Sequence, residues 1–257
     1  MRATAASAQD WRDAAAYAPL LDADRSLFAW EWLRRDCAYR AAAAAAALSP
    51  DGRLHSPRPE RSGLIAFEPP DRTVPNTRPM WRVDVHPYVL AVEACPADAA
   101  ADGFALEPLR QLATIHEDEE GEHLLLSDGL RMVRLDGRRG SLTGGPVGLH
   151  YLIQGLASAE PPLLTLRRFL ALCRSGRFSR PLHPCEARAR RWVLMLRTAD
   201  ALAAGADQRE IAHVLLSRSV AEPGWRSREP SIRSQVQRLV RSARRMAGGG
   251  YRELLGR

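Results

Sequence analysis

Residues 231–246 of this 257-residue chain read SIRSQVQRLVRSARRM. Set at about 100° per residue, Ile232, Val236, Leu239, Val240, Ala243 and Met246 fall within about 120° of arc. Arg233, Ser234, Gln237, Arg238, Arg241, Arg244 and Arg245 take the opposite side. The bland account of such a face is solvation, and two features weigh against it. No acid lies between Ser231 and Ala247, so no i,i+4 pair neutralises the arginines, and like charges at that spacing weaken a helix. The face also mixes Arg with Gln and Ser, side chains that donate to phosphates and to base edges. The chemistry expected is recognition of a polyanion, double-stranded DNA first. Ser231, Arg233, Ser234 and Gln237 then face bases, Arg241, Arg244 and Arg245 face phosphates, and Arg238 lies between them.

The stretch before it supports a paired-helix reading. In ADQREIAHVLL, residues 206–216, Asp207 stands three residues before Glu210, the spacing of a capping box. Ile211, Ala212 and Leu215 point inward, and the small Ala212 lets a second helix cross closely, as a helix-turn-helix requires. Gln208 and Arg209, at the helix start, are then placed on the phosphate backbone. A turn of about 3–4 residues is usual, whereas SRSVAEPGWRSREP, residues 217–230, is far longer. It is read as an elongated turn in which Arg218, Arg226 and Arg228 reach phosphates. Trp225 packs beneath it or belongs to the core.

The elements that must position these residues divide into three. Asp24 is placed to cap a helix whose Phe28, Trp30, Trp32 and Leu33 form a broad apolar face. That face is larger than so short a segment can bury alone, which suggests a partner, either another regulator or RNA polymerase. Residues 1–45 are therefore expected to be dispensable for DNA affinity. Ala41 to Ala47 either extend the helix or fray into linker. Seven prolines between 50 and 79 read as loop. The alternation in WRVDV, 81–85, predicts a strand, YVLAVEA another, and HLLLSDGLRMVRL a hairpin around Asp128-Gly129. From about 145 the pattern is helical, with Gly205 ending the helix that contains Trp192, Met195 and Leu196. The predicted class is α+β: a small N-terminal helical domain over 8–45, a linker over 46–80, and over 81–257 a β-region followed by a helical domain carrying a variant helix-turn-helix.

Composition narrows the function. All 37 basic residues are Arg, and the net charge is +7. Residues 1–150 hold 17 Arg against 22 acids, while 151–257 hold 20 against 8, so charge is segregated toward an anionic partner. Cys37, Cys95, Cys173 and Cys185 form no C-x-x-C pair, which argues against a zinc module or disulfide framework. HEDEEGEH, 116–123, invites a metal reading, but its composition and Gly121 predict a solvated loop, and no metal is expected. LDGRRGSLTGG lacks the G-K-[ST] of a phosphate loop. No nucleophile has a recognisable setting. Trp30 and Trp32 are expected to pack rather than seat a cofactor. No catalysis and no cofactor are expected. With no signal peptide pattern and no apolar run of about 18 residues, a cytoplasmic protein without a membrane partner is expected.

Several motifs carry a family resemblance: GPVGLHYLIQG, LLTLRRFLALCRSGRF, ARRWVLMLRTADALAAGADQREIA and VQRLVRSARRMAGGGYREL. From about Leu124 to Leu255 the chain resembles the variant helix-turn-helix domain of proteobacterial regulators. These include the FseA- and QseM-type activators and antiactivators of conjugative element transfer and a type VI secretion regulator. DWRDAAAYAPLLDADRSLFAWEWLRRDCAYR is similar to the transcriptional-regulator-like domain that often precedes it. The resemblance implies a non-enzymatic transcription regulator, activating genes of a mobile element or secretion system. An antiactivator or adaptor that holds another regulator without touching DNA is the alternative, although it would have little use for an acid-free arginine face. A nuclease or recombinase would need carboxylates clustered by the basic groove. Asp207 and Glu210 are better explained as helix-start residues.

Overall fold

Asp24 opens the first α-helix as its position suggests: its Oδ1 accepts from the amides of Ser26 (2.8 Å) and Leu27 (3.3 Å), and α1 runs Arg25–Leu33. Asp36 does the same for α2, Cys37–Leu48, through the amides of Ala38 and Tyr39. The alanine run therefore extends the helix. The computed structural model describes residues 9–48, 58–97, 103–217 and 230–256.

The chain forms two compact units, and neither is contiguous in sequence. One joins 1–41 to 185–254; the other joins 42–184 to 255–257. This division cuts across the expected one, because the first forty residues share a unit with the C-terminal helices. In that unit a 3-10 helix, Ala15–Leu21, precedes α1. The remaining helices are α4 (Ala189–Ala203), α5 (Gln208–Leu215) and α6 (Pro230–Ala247), followed by a 3-10 turn at Gly250–Leu254. Gly205 ends α4 at φ +81°. The Ala206 amide donates to the Ala201 carbonyl (2.9 Å) and the Gly205 amide to that of Leu202 (3.1 Å), the paired bonds of a Schellman motif.

The apolar face of α1 is core. Phe28, Trp30, Trp32 and Leu33 are each 2% exposed or less, and Phe28 meets the Trp192 ring edge-on with centroids 5.0 Å apart. The expectation that these four bind a partner is corrected accordingly. The surplus apolar surface was real, but other parts of the same chain cover it, Trp192 of α4 against Phe28 and Tyr39 of α2 against Trp30.

The second unit is built on a five-stranded mixed sheet in the order β2-β3-β4-β1-β5. Its strands are β1 (Val89–Pro96), β2 (Ala113–Asp118), β3 (Gly121–Ser127), β4 (Met132–Arg139) and β5 (Val147–Leu152). β1 is parallel to β4; the other pairs are antiparallel. The hairpin around Asp128-Gly129 joins β3 to β4 as expected. One sheet face carries Leu90, Val92, Leu124, Leu126, Val133 and Leu135, packed with Phe169 and Leu172 of α3 (Glu160–Ser175). Three local expectations fail. WRVDV is not a strand: Trp81 makes a single bridge to Leu64, and residues 83–85 turn. HEDEEGEH is not a loop but the β2–β3 hairpin, with His123 only 2% exposed. Residues 58–80 are not a free linker, since Leu64, Val74 and Met80 are buried.

The other sheet face carries a buried polar cluster on β3 and β4. His116 on β2, His123 on β3 and Asp136 on β4 stand opposite one another across three strands. His123 Nδ1 lies 2.8 Å from Asp136 Oδ1 and its Nε2 3.1 Å from Asp118 Oδ2, while Arg134 grips Asp136 with Nε and Nη2. Burial pulls the His123 pKa down, but the hydrogen bond and charge of Asp136, helped by Asp118, carry it above its ordinary 6.5. The folded state thus holds this proton more tightly than the unfolded chain. The resulting stabilisation is complete below pH 6.5 and is lost as pH rises through the raised value. An NMR titration of the His123 imidazole should give a midpoint above 6.5, with the thermal midpoint of this unit falling on the alkaline side. A midpoint below 6.5 would show that desolvation wins.

Candidate nucleic-acid interface

α5 and α6 form where the sequence places them, and they share one buried cluster. Ile211 and Ala212 of α5 and Val236 of α6 are wholly buried in one cluster with Ala201 of α4. Ala212 has no side chain beyond Cβ, as the close crossing of a helix-turn-helix needs. Asp207 caps α5 by accepting from the Glu210 amide at 2.8 Å. The reciprocal half of the box is absent, because the Glu210 carboxylate pairs with Arg12 instead.

The same cluster contains Trp11, 2% exposed. Arg197 of α4 donates through Nε to the Trp11 carbonyl (2.8 Å) and through Nη2 to that of Arg12 (2.9 Å). These bonds tie the N-terminal segment onto α4, which shares the cluster with the helix pair. Sequence reasoning missed Trp11, Arg12 and Arg197. The available signal was Trp11 itself, a large aromatic among polar residues with no local apolar partner.

α6 turns one side inward and the other to solvent. Val236, Leu239, Val240, Ala243 and Met246 are buried, which fixes the helix orientation. Ser231, Arg233, Ser234, Gln237, Arg238, Arg241, Arg244 and Arg245 are all exposed. Arg245 is paired with Glu253 at 3.1 Å, so it is not the free cation that the acid-free helix suggested. Arg233, Arg238, Arg241 and Arg244 make no ion pair among the described residues. On α5, Arg209 is exposed and Gln208 half-buried. Arg218, Trp225, Arg226 and Arg228 lie outside the described residues. Arg188, Arg190 and Arg191, at the start of α4, are further exposed cations that sequence reading passed over.

Counted by unit rather than by half, the charge is sharper still. The unit containing α6 holds 20 Arg against 13 acids, and the sheet unit 17 against 17. The whole net charge of +7 therefore resides in the unit that contains the helix pair. Of the acids sharing that unit, Glu31 and Asp200 are occupied by Arg34 and Arg35, and Asp24 and Asp36 cap helices. Asp207 caps α5, and Glu186, Glu210 and Glu253 pair with Arg25, Arg12 and Arg245.

Among the described residues, no helix is long and apolar enough to cross a membrane, and no group of three or more His, Cys, Asp and Glu side chains could hold a metal ion. Comparison with curated proteins and with solved structures finds no match. Two family models do match. Residues 160–256 fit the RovC-type family described as a type VI secretion system (T6SS) transcription factor DNA-binding domain. Residues 10–64 fit the proteobacterial transcriptional regulator-like domain. The chain thus carries a segment similar to the regulator-like domain first and a segment similar to the transcription-factor DNA-binding domain second, the arrangement of a transcription regulator.

Proposed function

We propose that the protein binds an operator through α6 lying in the major groove and activates genes of a mobile element or of a secretion system. The observation that carries the DNA contact is the outer face of α6: nine exposed polar side chains, five of them Arg, with no acid on the helix. A recognition helix presents its N-terminal residues to base edges. Ser231, Arg233, Ser234 and Gln237 are then the readers, Arg suited to guanine and Gln to adenine. Arg238, Arg241 and Arg244 follow on phosphates, Gln208 and Arg209 meet the backbone from α5, and Arg226 and Arg228 do so from the segment between the helices.

Genome-wide chromatin immunoprecipitation should enrich promoters. Absence of enrichment would favour the adaptor reading, in which the same fold holds another regulator. Fluorescence anisotropy then separates readout from charge. Arg233→Ala or Gln237→Ala should cost about 1–3 kcal/mol on the operator and little on a scrambled duplex. Arg244→Ala should weaken both alike and make the salt slope shallower by about one. Equal losses on both duplexes for all three variants would reduce α6 to a general electrostatic surface.

A further inference from the structure

The segment that matches the DNA-binding family begins at Glu160, the first residue of α3. Yet α3 belongs to the sheet unit and not to the unit of α4–α6. Phe169 and Leu172 of α3 lie in the sheet core, and Phe178, just past the helix, packs against the same core. The chain between them is pinned. The Gly176 amide closes α3 by donating to the Leu172 carbonyl (2.8 Å). Ser175 Oγ donates to the Ala171 carbonyl (2.8 Å) and accepts from the Arg177 amide (3.3 Å). A short 3-10 turn, Arg180–Leu182, follows.

The sheet unit is neutral as a whole, but its charge is not evenly spread. Residues 160–184 hold five Arg against the single acid Glu160, while the rest of the unit holds 12 Arg against 16 acids. Arg168 is used internally, its Nε donating to the Leu182 carbonyl at 2.9 Å. Arg167, Arg174, Arg177 and Arg180 are exposed and make no ion pair among the described residues. Exposed arginines elsewhere in the unit are treated differently. Arg138 lies 3.4 Å from Glu120 and Arg139 3.7 Å from Glu93. Two bland accounts fall short. Complementing the negative end of a helix suits Arg174, but that effect fades within the last turn, and Arg167 precedes that turn while Arg177 and Arg180 lie beyond the helix. Solvation explains exposed arginines, but not why 16 of the unit's 17 acids lie elsewhere.

We propose that Arg167, Arg174, Arg177 and Arg180 grip the phosphate backbone of double-stranded DNA, a second contact that the sheet unit carries separately from the reading face of α6. The proposal rests on the DNA reading above for its partner and uses none of its residues. Unpaired arginines meet an unpaired polyanion, and each phosphate neutralised releases counterions. Residues 160–184 contain no Asn or Gln to pair with base edges, and contacts to phosphates position a protein without reading sequence. The Phe178 anchor and the Ser175 bonds hold the backbone of this turn in place before DNA arrives. The matched family description names DNA binding for the segment and assigns it to no residue within it.

The test is fluorescence anisotropy of the full-length protein with a labelled random-sequence duplex across a salt series, which needs no knowledge of the operator. Arg174→Gln combined with Arg177→Gln changes only exposed groups, so the melting temperature should stay native. Affinity should fall at least about tenfold near 0.1 M salt, and the slope of log affinity against log salt should become shallower by about two. Arg167→Gln combined with Arg180→Gln should act alike. The control, Arg138→Gln combined with Arg139→Gln, removes the same charge from the same unit and should leave the slope unchanged. Arg244→Gln on α6 is measured beside them. Weakening by the α3 pairs with none from Arg244→Gln would keep this contact and remove the α6 reading. The proposal is overturned if Arg244→Gln weakens binding while the α3 pairs do not, or if the control pair weakens binding as much as the α3 pairs. It is overturned together with the α6 reading if the native protein binds no duplex.

Discussion

Deleting residues 9–36 should leave the helices of 185–254 unable to fold, and operator binding should vanish with them. The family resemblance suggests a separable N-terminal domain, but the packing requires the opposite. Trp11 fills the cluster that holds α5 against α6, Arg197 is hydrogen-bonded to the backbone of Trp11 and Arg12, and Phe28 covers Trp192. Truncating one buried Trp or Phe costs about 3–5 kcal/mol, against a total stability of about 5–15 kcal/mol for a domain. The deletion removes Trp11, Tyr17, Leu27, Phe28, Trp30 and Trp32 together, all buried. Trp11→Ala alone should lower the melting point and weaken DNA binding in proportion to the folded fraction, with native affinity recovered on cooling. A fragment of residues 140–257 that melts cooperatively and binds operator with native affinity would overturn this, and would restore a detachable N-terminal segment.

What was legible beforehand follows the range of the interactions involved. The caps at Asp24 and Asp207, the Schellman stop at Gly205 and the inward stripe of α6 each depend on residues a few positions apart, and all formed where spacing placed them. The attachment of Trp11 to Ile211 and Val236 joins residues some two hundred positions apart, and no local pattern encodes it. Alternation misled at WRVDV because period two describes a half-buried strand only if another strand pairs along it; Trp81 found a single bridge. Composition misled at HEDEEGEH, where five acids suggested solvent. Strand pairing instead carries His123 inward to Asp136, a partner thirteen residues away that compensates its burial. The outer face of α6 was readable because burial of the opposite stripe orients the whole helix. The Arg245–Glu253 pair was not, since it depends on how the chain turns after Ala247.

The second large effect expected is on Asp200, which no reading of the sequence singled out. Arg35 reaches it with two bonds, Nε to Oδ1 at 2.7 Å and Nη2 to Oδ2 at 2.8 Å, and the Tyr17 hydroxyl donates to Oδ2 at 2.6 Å. Arg35 also pairs with Glu31, which is 1% exposed and shared with Arg34. Asp200→Ala strands Arg35 in a buried site with Glu31 contested by a second arginine, and should cost about 3–5 kcal/mol. Glu253→Ala is the control. It breaks an exposed pair with Arg245, worth about 1 kcal/mol at most, and by freeing a cation on α6 it should not weaken DNA binding. If the Asp200 penalty comes from a stranded charge rather than lost packing, Arg35→Met combined with Asp200→Leu should recover much of it. The network also sets the acid limit of this unit. Burial raises the Glu31 pKa, yet Arg35 and Arg34 hold it below its ordinary 4.5. Its contribution is therefore complete above pH 4.5 and is lost as pH falls through the lowered value. Thermal melts between pH 7 and pH 3 should show native protein losing stability on the acid side, and Glu31→Gln losing less. Equal melting points for Asp200→Ala and Glu253→Ala at neutral pH would mean that the buried pair contributes no more than a surface one, and that packing alone holds the N-terminal segment in place.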